Sequence, residues 1–251
     1  MSSTPSSVPP AEVPQAKLSA VQRIIGIFTS PGETFADIVR VPSWIVPIVL
    51  LTVLALMVCF VMMQRVEWRG FMEKQMAKSA QWDQLSAEQK AQRLDMGEKF
   101  VPYQVYGFGL LGPAIFAAVL GAIYLGGFNL FLSAGLKFKQ SFSIVAHASL
   151  VSLISSPLVT LVMLLKRPGD VDPEHLLATN VGEFLSSDTP KALLKFAGSL
   201  DIFMFWILSL LAIGFAAANP KKISKGAAFG VIFGFWAVWV LIKVGWAVIT
   251  G

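Results

Sequence analysis

The stretch "FTSPGETFADIVRVPSWIVPIVL", Phe28 to Leu50, decides how the chain is to be read. Its first half carries the signals of a capped amphipathic helix. Ser30 stands at a cap position, Pro31 at the first helical position, and Glu33 three residues after the cap. There the Glu33 carboxylate can reach back to the cap amide while favouring the positive helix end. Phe35, Ile38 and Val39 follow as an i, i+3, i+4 apolar stripe, and Pro42 ends the helix. The second half is apolar and opens, behind Trp44, into a run long enough to cross a bilayer.

A second stripe lies upstream, formed by Leu18, Val21, Ile24 or Ile25, and Phe28, with Lys17, Gln22 and Arg23 opposite. Two short amphipathic helices hinged at "TSPG" are therefore expected. The chain offers no soluble domain for them to pack on. They are placed at the bilayer interface, with Trp44 as an aromatic anchor, the alternative being the inner ends of the helix bundle.

Composition supports a membrane reading throughout. Of the 251 residues 55% are hydrophobic and 14% charged, with a mean hydropathy of +0.67. A soluble domain carries about a quarter charged residues. The net charge of +5 comes from Lys and Arg beside apolar runs. Orientation and lipid headgroups explain it, and no nucleic-acid partner is expected. The single cysteine, Cys59, rules out an intrachain disulfide framework. Residues 1–16, rich in Ser and Pro, read as a disordered tail rather than a cleavable signal peptide.

The expected fold is an all-α integral membrane protein, a five-helix transmembrane bundle with N-terminal amphipathic interfacial helices, in one domain over 17–251. The spans fall at about 43–63, 107–136, 141–165, 200–218 and 226–249. The second is overlong, roughly 45 Å against a ~30 Å hydrocarbon core, so it must tilt, kink or start late; "GFGLLGP" around Pro113 marks the expected break. In the first long loop Ser86 and Gln89 have capping-box spacing, and "PKALLKFAG" in the second reads as an amphipathic turn. With the N-terminus inside, the inner segments hold eight Lys/Arg and the outer loops eleven. The two short loops, "KFKQ" and "NPKKISK", are nevertheless purely basic, which favours a cytoplasmic N-terminus and an outer C-terminus in the cell's inner membrane.

Each polar residue inside a span needs a partner. Asp201 and Lys243 sit toward one end of a helical hairpin and are expected to pair directly or through water, the alternative being separate snorkelling. Asn129 and His147 lie at matching depth on either side of the "KFK" turn, with a mutual hydrogen bond expected. Gly226, Gly230 and Gly234 line one face of the last span, as an internal contact or as a dimer seam.

The opening stretch is similar to that of bacterial members of the Yip family, a group of five-span membrane proteins. There a Ser-Pro-x-x-x-Phe helix leads into a first span flanked by Pro and Trp. "LDIFMFWILSLLAIGFAAANPKKISKGAAFGVIFGFWAVWVLIKVG" resembles the family's last hairpin, where an Asp opens the fourth span and a short basic loop precedes the fifth. In eukaryotes the resemblance implies binding of prenylated Rab-type GTPases, but no residue in this chain specifically reads a GTPase. The implied role is a non-enzymatic membrane-organising or adaptor protein that contacts the lipid bilayer, other membrane proteins or a second copy. A small solute or ion transporter or channel is the alternative. No catalytic, cofactor or metal site is expected. Phosphate-loop, H-E-x-x-H and nucleophile-elbow signatures are missing, and His147 and His175 lack ligand spacing.

Overall fold

Among the described residues four stretches are long and apolar enough to cross a membrane as helices: Ile45–Arg65, Ala87–Leu132, Phe138–Leu165 and Lys225–Ile249. The computed structural model describes residues 16–186 and 188–250, so the expected tail lies, apart from Ala16, outside the described residues. A hairpin of two short helices, α1 (Ala20–Thr29) and α2 (Pro31–Arg40), precedes the first span, α3 (Ile45–Arg65). Two polar helices, α4 (Trp68–Met76) and α5 (Ala80–Asp83), lead to α6 (Ala87–Leu132). The next span is split into α7 (Phe138–Ala148) and α8 (Ser152–Leu165) by a tighter turn at Ser149–Val151. A loop then carries the short α9 (Lys191–Ala197), and α10 (Ile202–Ala218) and α11 (Lys225–Thr250) close the bundle.

The overlong second span resolves differently from the expected break at Pro113. α6 is one continuous helix of 46 residues that holds both Pro102 and Pro113. At 1.5 Å per residue it is about 69 Å long, so it starts far outside the hydrocarbon core and enters it already formed. Its polar start is the expected capping box: Gln89 N donates to Ser86 Oγ (3.2 Å) and Ser86 N to Gln89 Oε1 (3.0 Å). Arg69 of α4 binds Asp95 at 2.6 Å and ties this extension down. Each proline removes a single backbone bond, which packing against α3 along the helix offsets. The helix ends at Leu132, before the expected 136, because Ser133 and Gly135 take positive φ values of 47° and 67° and turn the chain.

The third span starts at Phe138 and tightens at Ser149, whose hydroxyl donates to Val145 O at 2.9 Å and competes with the helical ladder. α10 has 17 residues, about 26 Å, at the short end of what spans a bilayer. Much of it is enclosed: Leu208, Leu210, Leu211, Ala212, Gly214 and Phe215 are all buried. It packs against α2, α7 and α11, while α3 packs mainly on α6 and α8.

Lipid is as apolar as leucine, so helices in a bilayer associate through close packing rather than through the hydrophobic effect. Glycine makes this packing close at specific points. A Cβ on Gly214 would lie 2.6 Å from Ile144 Cγ2 and 2.9 Å from Phe35 Cδ1. One on Gly121 would lie 3.3 Å from the Phe142 Cα, and one on Gly127 2.5 Å from the Phe235 ring. Beside them Phe128 stacks on Phe215 at 4.4 Å, and Tyr124 meets Phe215 and Phe235 edge-on at 5.6 and 5.9 Å. The glycines singled out in the sequence behave otherwise. A Cβ added to Gly226, Gly230 or Gly234 would meet nothing within 4 Å, so of the two expected contacts the internal one is absent among the described residues.

This contrast gives a direct comparison. Gly214→Leu forces a side chain into filled space and is expected to destabilise the bundle by about 2 kcal/mol or more. Gly230→Leu is expected to leave the monomer's stability within ~0.5 kcal/mol of wild type. Reversible unfolding in mixed micelles measures both, and equal losses would contradict the packing described.

Candidate functional site

The hairpin α1–α2 stands at the bundle end where α3, α7 and α11 begin and α6 and α10 finish. Its first helix starts at a capping box absent from the sequence expectations: Gln22 N donates to Ser19 Oγ and Ser19 N to Gln22 Oε1. The expected box at Ser30 and Glu33 does not form, although Pro31 is the first residue of α2 and Glu33 lies in its first turn. Ser30 is shared between the helices instead. Its N–H closes α1 on Gly26 O (2.8 Å), and its carbonyl accepts from Thr34 N and Thr34 Oγ1. The helices touch where Gly26 faces Thr34; a Cβ on Gly26 would fall 2.2 Å from the Thr34 hydroxyl.

α1 turns the face bearing Arg23, Gly26 and Ile27 inward. Arg23, expected on the polar face, is only 3% exposed, and Asp37 only 6%. The Asp37 carboxylate accepts five bonds. Arg23 Nη2 (2.8 Å), Arg23 Nε (3.0 Å) and Leu18 N (3.3 Å) reach Oδ2, while Arg40 Nη2 (2.5 Å) and Lys17 N (2.9 Å) reach Oδ1. Arg23 also donates from Nη1 to Val41 O and Ser43 Oγ, at 3.1 and 2.6 Å. One guanidinium thus joins α1, α2 and the linker into α3. Burial alone would raise the Asp37 carboxyl, but the Lys17 and Leu18 amides and the two guanidinium groups outweigh it and hold the group at about 2.

The stripe of α2 meets protein where the bilayer interface was expected. Phe35, Ile38 and Val39 are buried against α10 and α7, and Gln140 Nε2 of α7 donates to Val39 O at 3.3 Å. Phe35 abuts Gly214, and Phe28 meets the Trp206 ring edge-on at 5.8 Å. The hairpin therefore runs along α10 for eight residues, about 12 Å. A stripe at helical spacing fits lipid or a neighbouring helix equally well, so spacing alone could not separate them. On α1 the outward edge stays apolar, with Val21 64% and Ile25 56% exposed. Trp44, partly exposed where α3 begins, rests edge-on against Phe142 at 5.4 Å.

The intramembrane pairs expected from sequence take separate partners. Asp201 caps α10 by accepting from Met204 N (2.8 Å), and its other oxygen accepts from Thr179 Oγ1. Lys243 Nζ donates to Ser199 Oγ at 2.8 Å, at the same end of the bundle but not to Asp201. Asn129 does not reach His147. Its amide brackets the Leu136 backbone, donating to the carbonyl (3.1 Å) and accepting from the N–H (2.8 Å), and so closes the α6–α7 turn. His147 Nδ1 instead meets Ser143 O of its own helix at 2.8 Å. Asp201, Asn129 and His147 each meet a backbone group a few residues away, and Lys243 meets the Ser199 hydroxyl instead of a carboxylate.

The sequence reading missed Ser19, Arg23, Asp37 and Ser43. The signal for the pair was present in Gly26, a helix-interior glycine sharing an i, i+3, i+4 face with Arg23 and Ile27.

These features define an all-α, multi-pass membrane protein whose N-terminal hairpin is pinned to the bundle by a buried ion pair. The chain matches the Yip1 domain over residues 25–249 and belongs to the Yip family. Comparison with curated proteins and with solved structures gives no match.

Asp37→Ala strands the Arg23 guanidinium and is expected to cost about 3–5 kcal/mol, releasing α1 to proteolysis at sites that are protected in the wild type. The Asp37 carboxyl titrates below its ordinary 3.8, so the network contributes in full above that value and is lost as pH falls toward 2. Protection measured against pH should follow that course in wild type and be flat in the Asp37→Ala variant. At the other end, Asp201→Asn and Lys243→Met should show a coupling below ~0.5 kcal/mol in a double-mutant cycle, because they have different partners. A larger coupling would restore a direct pair.

Proposed function

We propose that the protein is a non-enzymatic membrane-organising or adaptor protein of the bacterial branch of the Yip family. It resides in the inner membrane with its N-terminus in the cytoplasm and its C-terminus outside. Its contact surface is the outward side of the α1–α2 hairpin. The observation that carries this reading is the exposed apolar edge of α1, Val21 and Ile25, on a helix whose inward side is locked through Arg23 and Asp37. A surface held rigidly before binding loses less freedom on contact. The α2 side of the hairpin carries a cleft of about 470 Å³ lined by Lys17, Leu18, Glu33, Ala36, Asp37 and Arg40, which offers both charge signs to a polar partner. Lipid headgroups or another membrane protein fit such a mixture.

Two further features support this reading. The polar groups nearest to a transport site, Asn129 and His147, are engaged by backbone close to themselves. The open glycine face of α11 suits close approach by a second helix, in a homo-oligomer or a partner membrane protein.

Single-cysteine variants at 88, 137 and 221, treated with a membrane-impermeant thiol reagent on intact cells, test the orientation. Position 88 should label and the other two should not until the cells are opened. Proximity labelling from the N-terminus then tests the surface. Val21→Ser with Ile25→Ser should deplete the labelled membrane proteins while the purified bundle keeps its stability. Labelling of 137 and 221 on intact cells would overturn the topology and, with it, the cytoplasmic contact surface.

A further inference from the structure

At the bundle end opposite the hairpin, a cavity of about 610 Å³ opens between the loop around residues 174–183, α9 and the last turns of α11. Its charges are unequally matched. The two carboxylates on its wall are already engaged: Glu174 with Lys78 at 3.6 Å, and Glu183 with His175 at 2.8 Å. Lys191, Lys195 and Lys243 also line the cavity, and among the described residues none of them is in an ion pair with a carboxylate.

The arrangement holds these ammonium groups together. Lys191 and Lys195 are four residues apart on α9 and so share one of its faces. Ser199, itself buried, uses its hydroxyl proton on Lys195 O (2.8 Å) and its lone pair on Lys243 Nζ (2.8 Å). That fixes the Lys243 ammonium beside α9, on the wall of the same cavity as Lys191 and Lys195. Lys243 is half-buried and its hydrogen-bond partner is a neutral hydroxyl, so the three ammonium groups share the cavity without a carboxylate of their own. An anion in the cavity would supply the charge partner these three groups lack. The depth suits a headgroup. Lys243 lies 18 residues beyond Lys225, about 27 Å along α11, so with Lys225 at one interface it reaches the other.

We propose that this cavity binds a phosphate-bearing anion on Lys191, Lys195 and Lys243, and that in the membrane this anion is the headgroup phosphate of an anionic phospholipid. Free inorganic phosphate shares the chemistry and is the alternative source. The two differ in what anchors them: a phospholipid stays at the interface, where Lys243 lies, whereas a soluble anion must come from the aqueous phase.

The full-length protein in phosphatidylcholine micelles, titrated with phosphatidylglycerol and separately with inorganic phosphate, tests this by intrinsic tryptophan fluorescence. Phosphatidylglycerol should bind saturably, and Lys195→Gln with Lys243→Gln should bind it roughly thirtyfold more weakly, two near-surface cations' worth. Removing as much charge at the other end, Lys137→Gln with Lys221→Gln, should change the affinity little. Saturable binding of inorganic phosphate at the same lysines, without a phosphatidylglycerol response, would keep the site and replace the lipid by a soluble anion. Equal losses in the two double variants would assign the effect to diffuse surface charge and overturn the site. So would a wild-type protein that responds to neither titrant. Unfolding in phosphatidylcholine alone, expected to be close to wild type for the Lys195/Lys243 variant, separates lost binding from lost fold.

Discussion

The contact between Arg23 and Asp37 constrains the hairpin and its linker into the first long helix, residues 17–43. Two opposite charges are taken out of water, and neither can stay there without the other. Their attraction is offset in large part by desolvation, so the pair contributes more to uniqueness of arrangement than to stability. The guanidinium is a rigid fork, and its donors are divided among Asp37, Val41 O and Ser43. Together these bonds hold α1, α2 and the linker to one another. In that arrangement Gly26 comes down on Thr34, the stripe of α2 reaches α10 and α7, and α3 leaves the hairpin where Trp44 meets Phe142.

Below the hairpin, specificity comes from contact rather than charge. A Cβ on Gly127 or Gly214 would collide with a facing side chain, Gly121 lets the Phe142 backbone come close, and Phe128, Phe215, Tyr124 and Phe235 fill the space beside them. α10, shorter than the four membrane-length helices, is packed between α2, α7 and α11. The outer surfaces of α3, α6 and α11 remain apolar at residues such as Val53, Ile115 and Leu241, as a lipid-facing surface requires.

The polar residues inside the bundle close turns and cap helices. Asn129 closes the turn after α6, Asp201 caps α10, and Ser141 donates to the Gly121 carbonyl at the tightest crossing of α6 and α7. Such local bonds make a stiff frame. The frame carries exposed features at its two ends: the apolar edge and mixed-charge cleft of the hairpin at one, the lysine-lined cavity at the other.

Much of this architecture was legible in the residues alone. Apolar length marked where the chain crosses the membrane, since only a helix satisfies its own backbone in hydrocarbon. Ser86 with Gln89, and Pro31 ahead of Phe35, marked helix starts, because caps and proline act within a few residues. Whatever depends on distance between elements was decided by the tertiary structure. The α2 stripe could face lipid or a helix, Asn129 could bind His147 or its own turn, and Gly230 could be enclosed or open. Helical spacing is the same in each case, and the choice lies with the nearest partner in three dimensions. Arg23 shows this most plainly: by sequence it belonged to the wet side of α1, and the carboxylate of Asp37, 14 residues away, brought it inside.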